Sequence, residues 1–344
     1  MRYRLLGHCG LRVSELCLGT MTFGEDWGWG SSKDESRRVL DAFFEAGGNF
    51  IDTANVYTSG TSETLLGEFL AGNRQHAVLA TKYTNAMPGT DPNAGGNQRK
   101  NMVQSIEASL KRLRTDYVDL YWLHIWDQIT PIDEVMRAFD DLVRQGKILY
   151  AGVSDMPAWV AAQANTLAEL RGWTRFVGLQ IEYSLIERTV ERELLPMAQS
   201  LGIGVTAWSP LAGGILTGKY AQGKAPADAR MNNEMMKAFQ QSTERTKAII
   251  AEVIAVAREC GRSPAQVALA WLRQRPVPVI PIIGARRLEQ FRDNLACVDL
   301  RLDAPHIERL DSASAIELGF PHDLYRIEMA RSLVSGGLRD RIDA

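Results

Sequence analysis

Four side chains of complementary type, Asp52, Tyr57, Lys82 and His124, fall at or just beyond the ends of three successive apolar runs. A phenol ionises near pKa ~10, so Tyr57 is a poor acid or base at neutral pH unless its surroundings tune it. An adjacent ammonium, which Lys82 can supply, favours the phenolate and lowers that pKa. Asp52 can pair with Lys82, keeping it protonated and oriented. His124 can donate a hydrogen bond to an oxygen on which negative charge develops. Such a set suits proton delivery to a carbonyl oxygen while a hydride reaches the carbon. Taken singly, each has an ordinary use: a tyrosine near a strand end packs, and an aspartate there caps the next helix. Four at neighbouring strand ends are harder to dismiss. Asp52 and His124 alone do not make a zinc site, so no metal is expected.

The elements that must position these residues are short β-branched or aromatic runs alternating with amphipathic stretches. The expected strands are Leu16–Gly19, Phe50–Thr53, Val78–Lys82, Val118–His124, Tyr150–Val153, Val177–Ile181, Gly204–Trp208 and Val279–Ile283. Most are unbroken apolar runs, as expected for parallel strands covered on both faces. Helix starts lie between them. Ser32-x-x-Glu35 reads as a capping box ahead of Val39, Leu40, Phe43 and Phe44, and Thr130-Pro131 and Ser263-Pro264 each place proline at a first helical position. Eight strand–helix units in series favour an α/β fold of the closed (β/α)8 TIM-barrel type over an open sheet. Tyr3–Leu6 and Leu11–Ser14 should form an N-terminal β-hairpin against the barrel bottom. A long loop, Ser209 to about Ser242, follows the seventh barrel strand. No boundary divides residues 1–344, which read as one barrel domain.

Composition narrows the partners. The chain has 344 residues, 45% hydrophobic and 23% charged, as in globular proteins. Its net charge of −2 offers no basic excess for nucleic acid or an anionic membrane surface. No apolar run is long enough for a membrane span and no signal peptide is visible. The four cysteines form no C-x-x-C, which fits reduced thiols in a cytoplasmic protein. The expected partner is a small molecule; self-association into a homo-oligomer stays open.

Two glycine motifs mislead. Gly202-Ile203-Gly204-Val205-Thr206-Ala207 fits G-x-G-x-x-A, but its glycines follow a helix and enter a strand, the reverse of a dinucleotide fingerprint. Gly213 to Tyr220 nearly fits a P-loop, but Tyr220 replaces the hydroxyl that would hold Mg²⁺. The glycine-rich turn can still present backbone N–H groups to a phosphate. Aromatic residues expected around the barrel mouth are Trp27, Trp29, Tyr83 and Trp126, with Phe320 and Tyr325 from the tail. Trp29 and Trp126, with Tyr57 and His124, are the candidate substrate contacts.

The segments Gly19-Thr20-Met21, Asp52-Thr53-Ala54-Asn55-Val56-Tyr57, Ala80-Thr81-Lys82, Asp119 to His124, Gly152-Val153-Ser154, Gln180-x-Glu182-Tyr183, Ala207 to Leu211 and Ile283-Gly284-Ala285-Arg286 carry a resemblance. In order and spacing the chain resembles the aldo-keto reductase superfamily, most of all its aryl-alcohol-dehydrogenase-like and potassium-channel-β-subunit-like branches. The resemblance implies a (β/α)8 barrel and NADP(H)-dependent reduction of aldehydes or ketones, with NAD(H) the second choice of cofactor. It implies a catalytic tetrad of Asp52, Tyr57, Lys82 and His124, with Tyr57 as proton donor. Along the cofactor it places Gly19, Thr20, Met21 and Asp52. Ser154, Asp155 and Gln180 fall at the nicotinamide carboxamide, and Trp208 on the ring. Ser209, Leu211, Gly213 and Gly214 fall at the pyrophosphate. Gly284, Arg286, Gln290 and Asn294 fall at the adenosine end, Arg286 on the 2′-phosphate. Asp155 stands where the family commonly has Asn; a carboxylate accepts but cannot donate. Two other readings compete: a redox-sensing subunit of the channel-β type, and a Schiff-base lyase using Lys82.

Overall fold

Eight short apolar runs pair edge to edge in chain order and close on themselves. The computed structural model describes residues 1–86, 89–219 and 243–342. Strands β1 (Tyr3–Leu5) and β2 (Arg12–Ser14) form an antiparallel hairpin. The barrel follows as β3 (Cys17–Gly19), β4 (Phe50–Asp52), β5 (Val78–Tyr83), β6 (Val118–Leu123), β7 (Ile148–Ser154), β8 (Phe176–Glu182), β9 (Gly204–Trp208) and β10 (Val279–Ile283). Each strand pairs in parallel with its predecessor, and β10 returns to β3. The (β/α)8 expectation holds, with every expected strand in place and ends shifted by at most two residues. The loop after the seventh barrel strand is described only to residue 219, so Tyr220 and most of that loop lie outside the described residues.

The barrel interior divides by polarity. Its lower part is apolar, with Cys17, Phe50, Val78, Ala80, Leu120, Trp122, Ile280 and Ile282 clustered with Leu6 and Val13 of the hairpin. The hairpin closes this end, as expected, with His8 N–H donating to Gly202 O at 2.8 Å. Gly202 ends the helix Leu194–Leu201 in a left-handed conformation (φ 64°), and a Cβ there would lie 2.2 Å from His8 Nδ1. That glycine is therefore a helix cap under a packed hairpin, not part of a nucleotide fingerprint. Buried polar groups gather at the other end, where Asp52, Lys82, Ser154 and Gln180 are at most 2% exposed. The surrounding helices bury their apolar stripes against the outer strand faces, as Val39, Leu40 and Phe43 do on Lys33–Glu45.

Two helix starts differ from expectation. Ser32 accepts from Glu35 N–H at 3.3 Å, but the Glu35 carboxylate does not return to complete the capping box. It crosses instead to accept from Leu288 N–H at 2.5 Å, the first residue of the helix Leu288–Leu295. A carboxylate is favoured at that positive helix end. Pro131 is the N-cap of the helix Ile132–Arg144 rather than its first residue. The Thr130 hydroxyl is taken by Asp127 at 2.6 Å. At Ser263-Pro264 the expectation holds, with Ser263 capping Gln266 N–H.

Candidate active site

Neighbouring strand ends bring the four chemical groups together. Asp52 ends β4, Lys82 lies one residue from the end of β5, and His124 directly follows β6. Lys82 is fully buried. Its three N–H donors go to the Asp52 carboxylate, to Thr53 O at 2.8 Å and to the Tyr57 hydroxyl at 3.0 Å. The other Asp52 oxygen accepts from Gln180 Nε2 at 3.0 Å. Both carboxylate oxygens are thus engaged within the protein. The Tyr57 ring meets the His124 ring edge-on, centroids 6.0 Å apart, and both are half-buried at the mouth.

Tyr57 is held by a costly piece of backbone. The next three residues, Thr58, Ser59 and Gly60, are all left-handed (φ 46°, 57° and 93°). For a β-branched residue such as Thr58 this costs roughly 1–2 kcal/mol. Its hydroxyl offsets the cost by donating to Phe23 O at 2.6 Å and accepting from Ser62 N–H at 3.1 Å. Among the described residues the other non-glycine left-handed positions are Thr84, Arg114, Gln128, Asp155, Ser209 and Ala212. All but Arg114, a helix cap, follow the C-terminal ends of barrel strands. Strain concentrated at one barrel face accompanies functional sites.

Charge states follow from burial and neighbours. Burial lowers the Lys82 pKa, but Asp52 and the Tyr57 oxygen together more than compensate, so the ammonium is held above its ordinary value. Burial raises Tyr57 above the usual phenol value, and the Lys82 charge offsets only part of this. The expected net lowering by Lys82 is therefore outweighed. His124 is pushed well below the ordinary histidine value, first by burial and then by Lys82, and is neutral. Its Nδ1 lies 3.2 Å from Asn85 Nδ2. An amide nitrogen only donates, so Nδ1 accepts and the ring proton sits on Nε2. Sequence reasoning missed Asn85; its signal was the spacing three residues after Lys82, just past a strand end.

Most residues expected along a cofactor fall at or just after the C-terminal ends of the same barrel strands. Ser154 is buried at the end of β7, next to the Asp155 carboxyl, whose pKa its hydroxyl lowers. Gln180 spends its amide N–H on Asp52. The Asp155 carboxylate accepts from Trp208 Nε1 at 3.0 Å, which fixes the plane of that indole. Burial raises the Asp155 pKa to about 6, against the lowering effect of the Trp208 bond. Beyond β9 the chain turns through Ser209, Ala212, Gly213 and Gly214, all left-handed. Gly213 N–H donates to Ser209 Oγ at 3.2 Å and Gly214 N–H to Leu211 O at 2.9 Å. Lys219 Nζ lies 2.9 Å from where a Cβ on Gly214 would be. Both glycine N–H groups are thus spent inside the turn rather than presented to a phosphate as expected, and the positive charge beside the turn is that of the Lys219 ammonium.

Gly19 and Gly284 approach across the β3–β10 seam, where a Cβ on Gly284 would lie 3.0 Å from Gly19 O. Arg286 is half-buried beside them, and its carbonyl accepts from Ser31 Oγ at 3.0 Å. Gln290 and Asn294 follow on the helix Leu288–Leu295, half-buried and buried. Met21 is half-buried at the same rim. Thr20 differs from expectation: it is fully buried, and its hydroxyl is taken by Asp52 O and Ser62, so the side chain supports β4.

The mouth aromatics divide. Trp29 is half-buried with its ring 5.6 Å from Trp27, and Trp126 packs edge-on against Trp159 at 5.8 Å. Tyr83 is not at the mouth. It is fully buried, stacked on Tyr121 at 5.3 Å, because its alternation with Lys82 turns it outward under the helices. Phe320 and Tyr325 are exposed on the tail. Among the described residues no cluster of His, Cys, Asp or Glu could hold a metal, and no helix is long and apolar enough to cross a membrane.

Residues 15–315 match the family model for the aldo/keto reductase family. The chain is 39% identical over 322 residues to the norsolorinic acid reductase stcV of Emericella nidulans, covering 91% of this chain and 81% of that protein. It is 39% identical to the uncharacterized oxidoreductase YrpG of Bacillus subtilis, covering 90% and 95%. It is 36% identical to an aryl-alcohol dehydrogenase (NADP(+)) of Phanerodontia chrysosporium, covering 92% and 86%. A closed eight-stranded barrel and a matched span from the first barrel strand to beyond the last lead to one assignment: this chain is an oxidoreductase belonging to the aldo/keto reductase family.

Proposed function

We propose that the protein reduces aldehydes or ketones, aromatic ones foremost, to alcohols with NADP(H), Tyr57 giving the proton. The observation that carries this is the chain of contacts Gln180–Asp52–Lys82–Tyr57, with neutral His124 against the Tyr57 ring. Bound at the rim, the nicotinamide would supply the hydride. Lys82 donates to the Tyr57 oxygen, so the phenolic proton is free to pass to a carbonyl oxygen. His124 Nε2–H donates to the same oxygen and stabilises charge developing on it. Lys82 has no lone pair to attack a carbonyl, which disfavours the Schiff-base reading.

Ser154 and Gln180 Oε1 would hold the carboxamide, and the glycine turn with Lys219 the pyrophosphate. Trp29 and Trp126 offer flat apolar surface to an aromatic substrate. The similarity to an aryl-alcohol dehydrogenase (NADP(+)) supports both the cofactor and the substrate class. The test is loss of NADPH absorbance across a panel of aromatic, aliphatic and sugar aldehydes. Turnover fastest with the aromatic members is expected; no turnover with any member overturns the proposal.

Two further outcomes are expected. This reading puts the Arg286 guanidinium on the 2′-phosphate, as the family resemblance implies. Charge-assisted bonds of this kind are worth roughly 1.5–3 kcal/mol, about ten- to a hundredfold in affinity. Arg286→Ala should weaken NADPH by that factor in a tryptophan-fluorescence titration and leave NADH nearly unchanged. Equal weakening of both would assign Arg286 to loop support. Asn85→Leu should free His124 to adopt the other tautomer and lower kcat by about tenfold, the worth of one hydrogen bond. Nitrogen NMR of the imidazole reads the tautomer directly, and an unchanged spectrum would dismiss the role.

A further inference from the structure

Gln180 points into the barrel toward Asp52, and side chains two residues apart on a strand share a face. Glu182 therefore lies on the inner face one step higher, at the rim. It is in register with Trp208 on β9, whose indole is held by Asp155 from the end of β7. Asp155 N–H in turn donates to Gln180 O at 3.4 Å. Two carboxyl groups thus flank Trp208 on adjacent strand ends. Among the described residues the half-buried Glu182 carboxyl has no hydrogen bond or ion pair, and the proton donation assigned to Tyr57 does not use it.

We propose that Asp155 and Glu182 form an acidic pair that makes the nicotinamide end of the site favour the oxidised cofactor over the reduced one as the two carboxyls ionise. The inference rests on the NADP(H) reading above. The oxidised ring carries a positive charge and the reduced ring none, so nearby carboxylates distinguish the two. The charges around the pair do not cancel it. Glu187, tied to Thr189 N–H at 2.7 Å, faces Glu182 from the turn after β8 and adds negative charge. Lys82 faces Asp155 but is already matched by Asp52. Tyr57 and His124 are neutral on that side. Burial raises Glu182 to about 7, helped by Glu187 and Asp155, and Asp155 to about 6. The pair therefore takes up charge across neutral pH. A cationic ring lowers both pKa values, so affinity for the oxidised form should rise with pH through this window while that for the reduced form does not.

The experiment titrates NADP⁺ and NADPH separately by tryptophan fluorescence from about pH 5 to about pH 8.5. The affinity ratio cancels the 2′-phosphate ionisation common to both nucleotides. It should shift toward NADP⁺ by about tenfold, the effect of a total pKa displacement of one unit. Asp155→Asn should remove the lower part of the rise, Glu182→Gln the upper part, and the double variant all of it. Both replacements keep side-chain shape, and asparagine tolerates the left-handed backbone at 155. A flat ratio in the wild-type chain, or an undiminished slope in the double variant, overturns the proposal. Tight binding of both nucleotides with a flat ratio leaves the NADP(H) reading standing, whereas binding of neither overturns that reading as well.

Discussion

Tyr57→Phe abolishes carbonyl reduction, lowering kcat by about 10²–10⁴, the usual worth of a positioned general acid. Nucleotide affinity stays close to wild type, because the ring that faces His124 remains. Lys82 loses one of three partners but keeps Asp52 and Thr53 O, so the fold is retained. Steady-state turnover with NADPH and an aromatic aldehyde, beside a nucleotide titration, separates the two effects. Turnover within about tenfold of wild type removes Tyr57 from the proton-transfer role. The wild-type pH dependence follows from the raised phenol pKa. A donor must carry its proton, so reduction is undiminished through the neutral range and falls only above pH ~10, where phenols ordinarily ionise. Alcohol oxidation needs the phenolate and rises over the same limb.

Lys82→Met carries the second large effect, and it falls on folding as well as chemistry. Without the ammonium, nothing opposes the effect of burial on Tyr57, and the proton becomes harder to release. Asp52 is also left buried without its partner, a change that typically costs about 3–5 kcal/mol. A melting experiment should show that loss together with the loss of turnover. Adding Asp52→Asn removes the orphaned charge, so the double variant should recover much of the stability and none of the activity. Coupled recovery of both would mean that Lys82 serves the fold alone; unchanged turnover in Lys82→Met would dismiss its tuning of Tyr57.

The barrel and the gathering of Asp52, Tyr57, Lys82 and His124 were legible because they depend on local signals. Apolar runs mark strands, and Asp52, Lys82 and His124 sit where those runs stop. What was not legible depends on distances between elements. Glu35 has the spacing of a capping box, yet a bare helix end at Leu288, over 250 positions away in the chain, takes its carboxylate. Thr20 occupies a cofactor-like position, but the pairing of β3 with β4 turns its hydroxyl onto Asp52 O. Tyr83 reads as a rim aromatic until strand alternation is anchored by Lys82. The balance of burial against charge at Tyr57 could not be struck without knowing how much solvent the barrel excludes. Asn85 carries no motif of its own, and only its distance to His124 gives it meaning.

The seam between β3 and β10 has a consequence for how the molecule is made. Thr22 Oγ1 donates to Ala285 O, and Ser31 Oγ to Arg286 O, across sequence separations of 263 and 255 residues. The loops assigned to the nucleotide therefore come from the first and last barrel strands. A nascent chain on the ribosome has one side of the cleft once its first barrel strand has emerged but must wait for the last barrel strand to acquire the other. Such long-range closure is slow compared with local helix formation. A ligand that binds only the closed form stabilises it by mass action. Under the NADP(H) reading proposed above, the nucleotide would thus act as a folding partner, retaining closed barrels and giving no help to ones that lack the last strand.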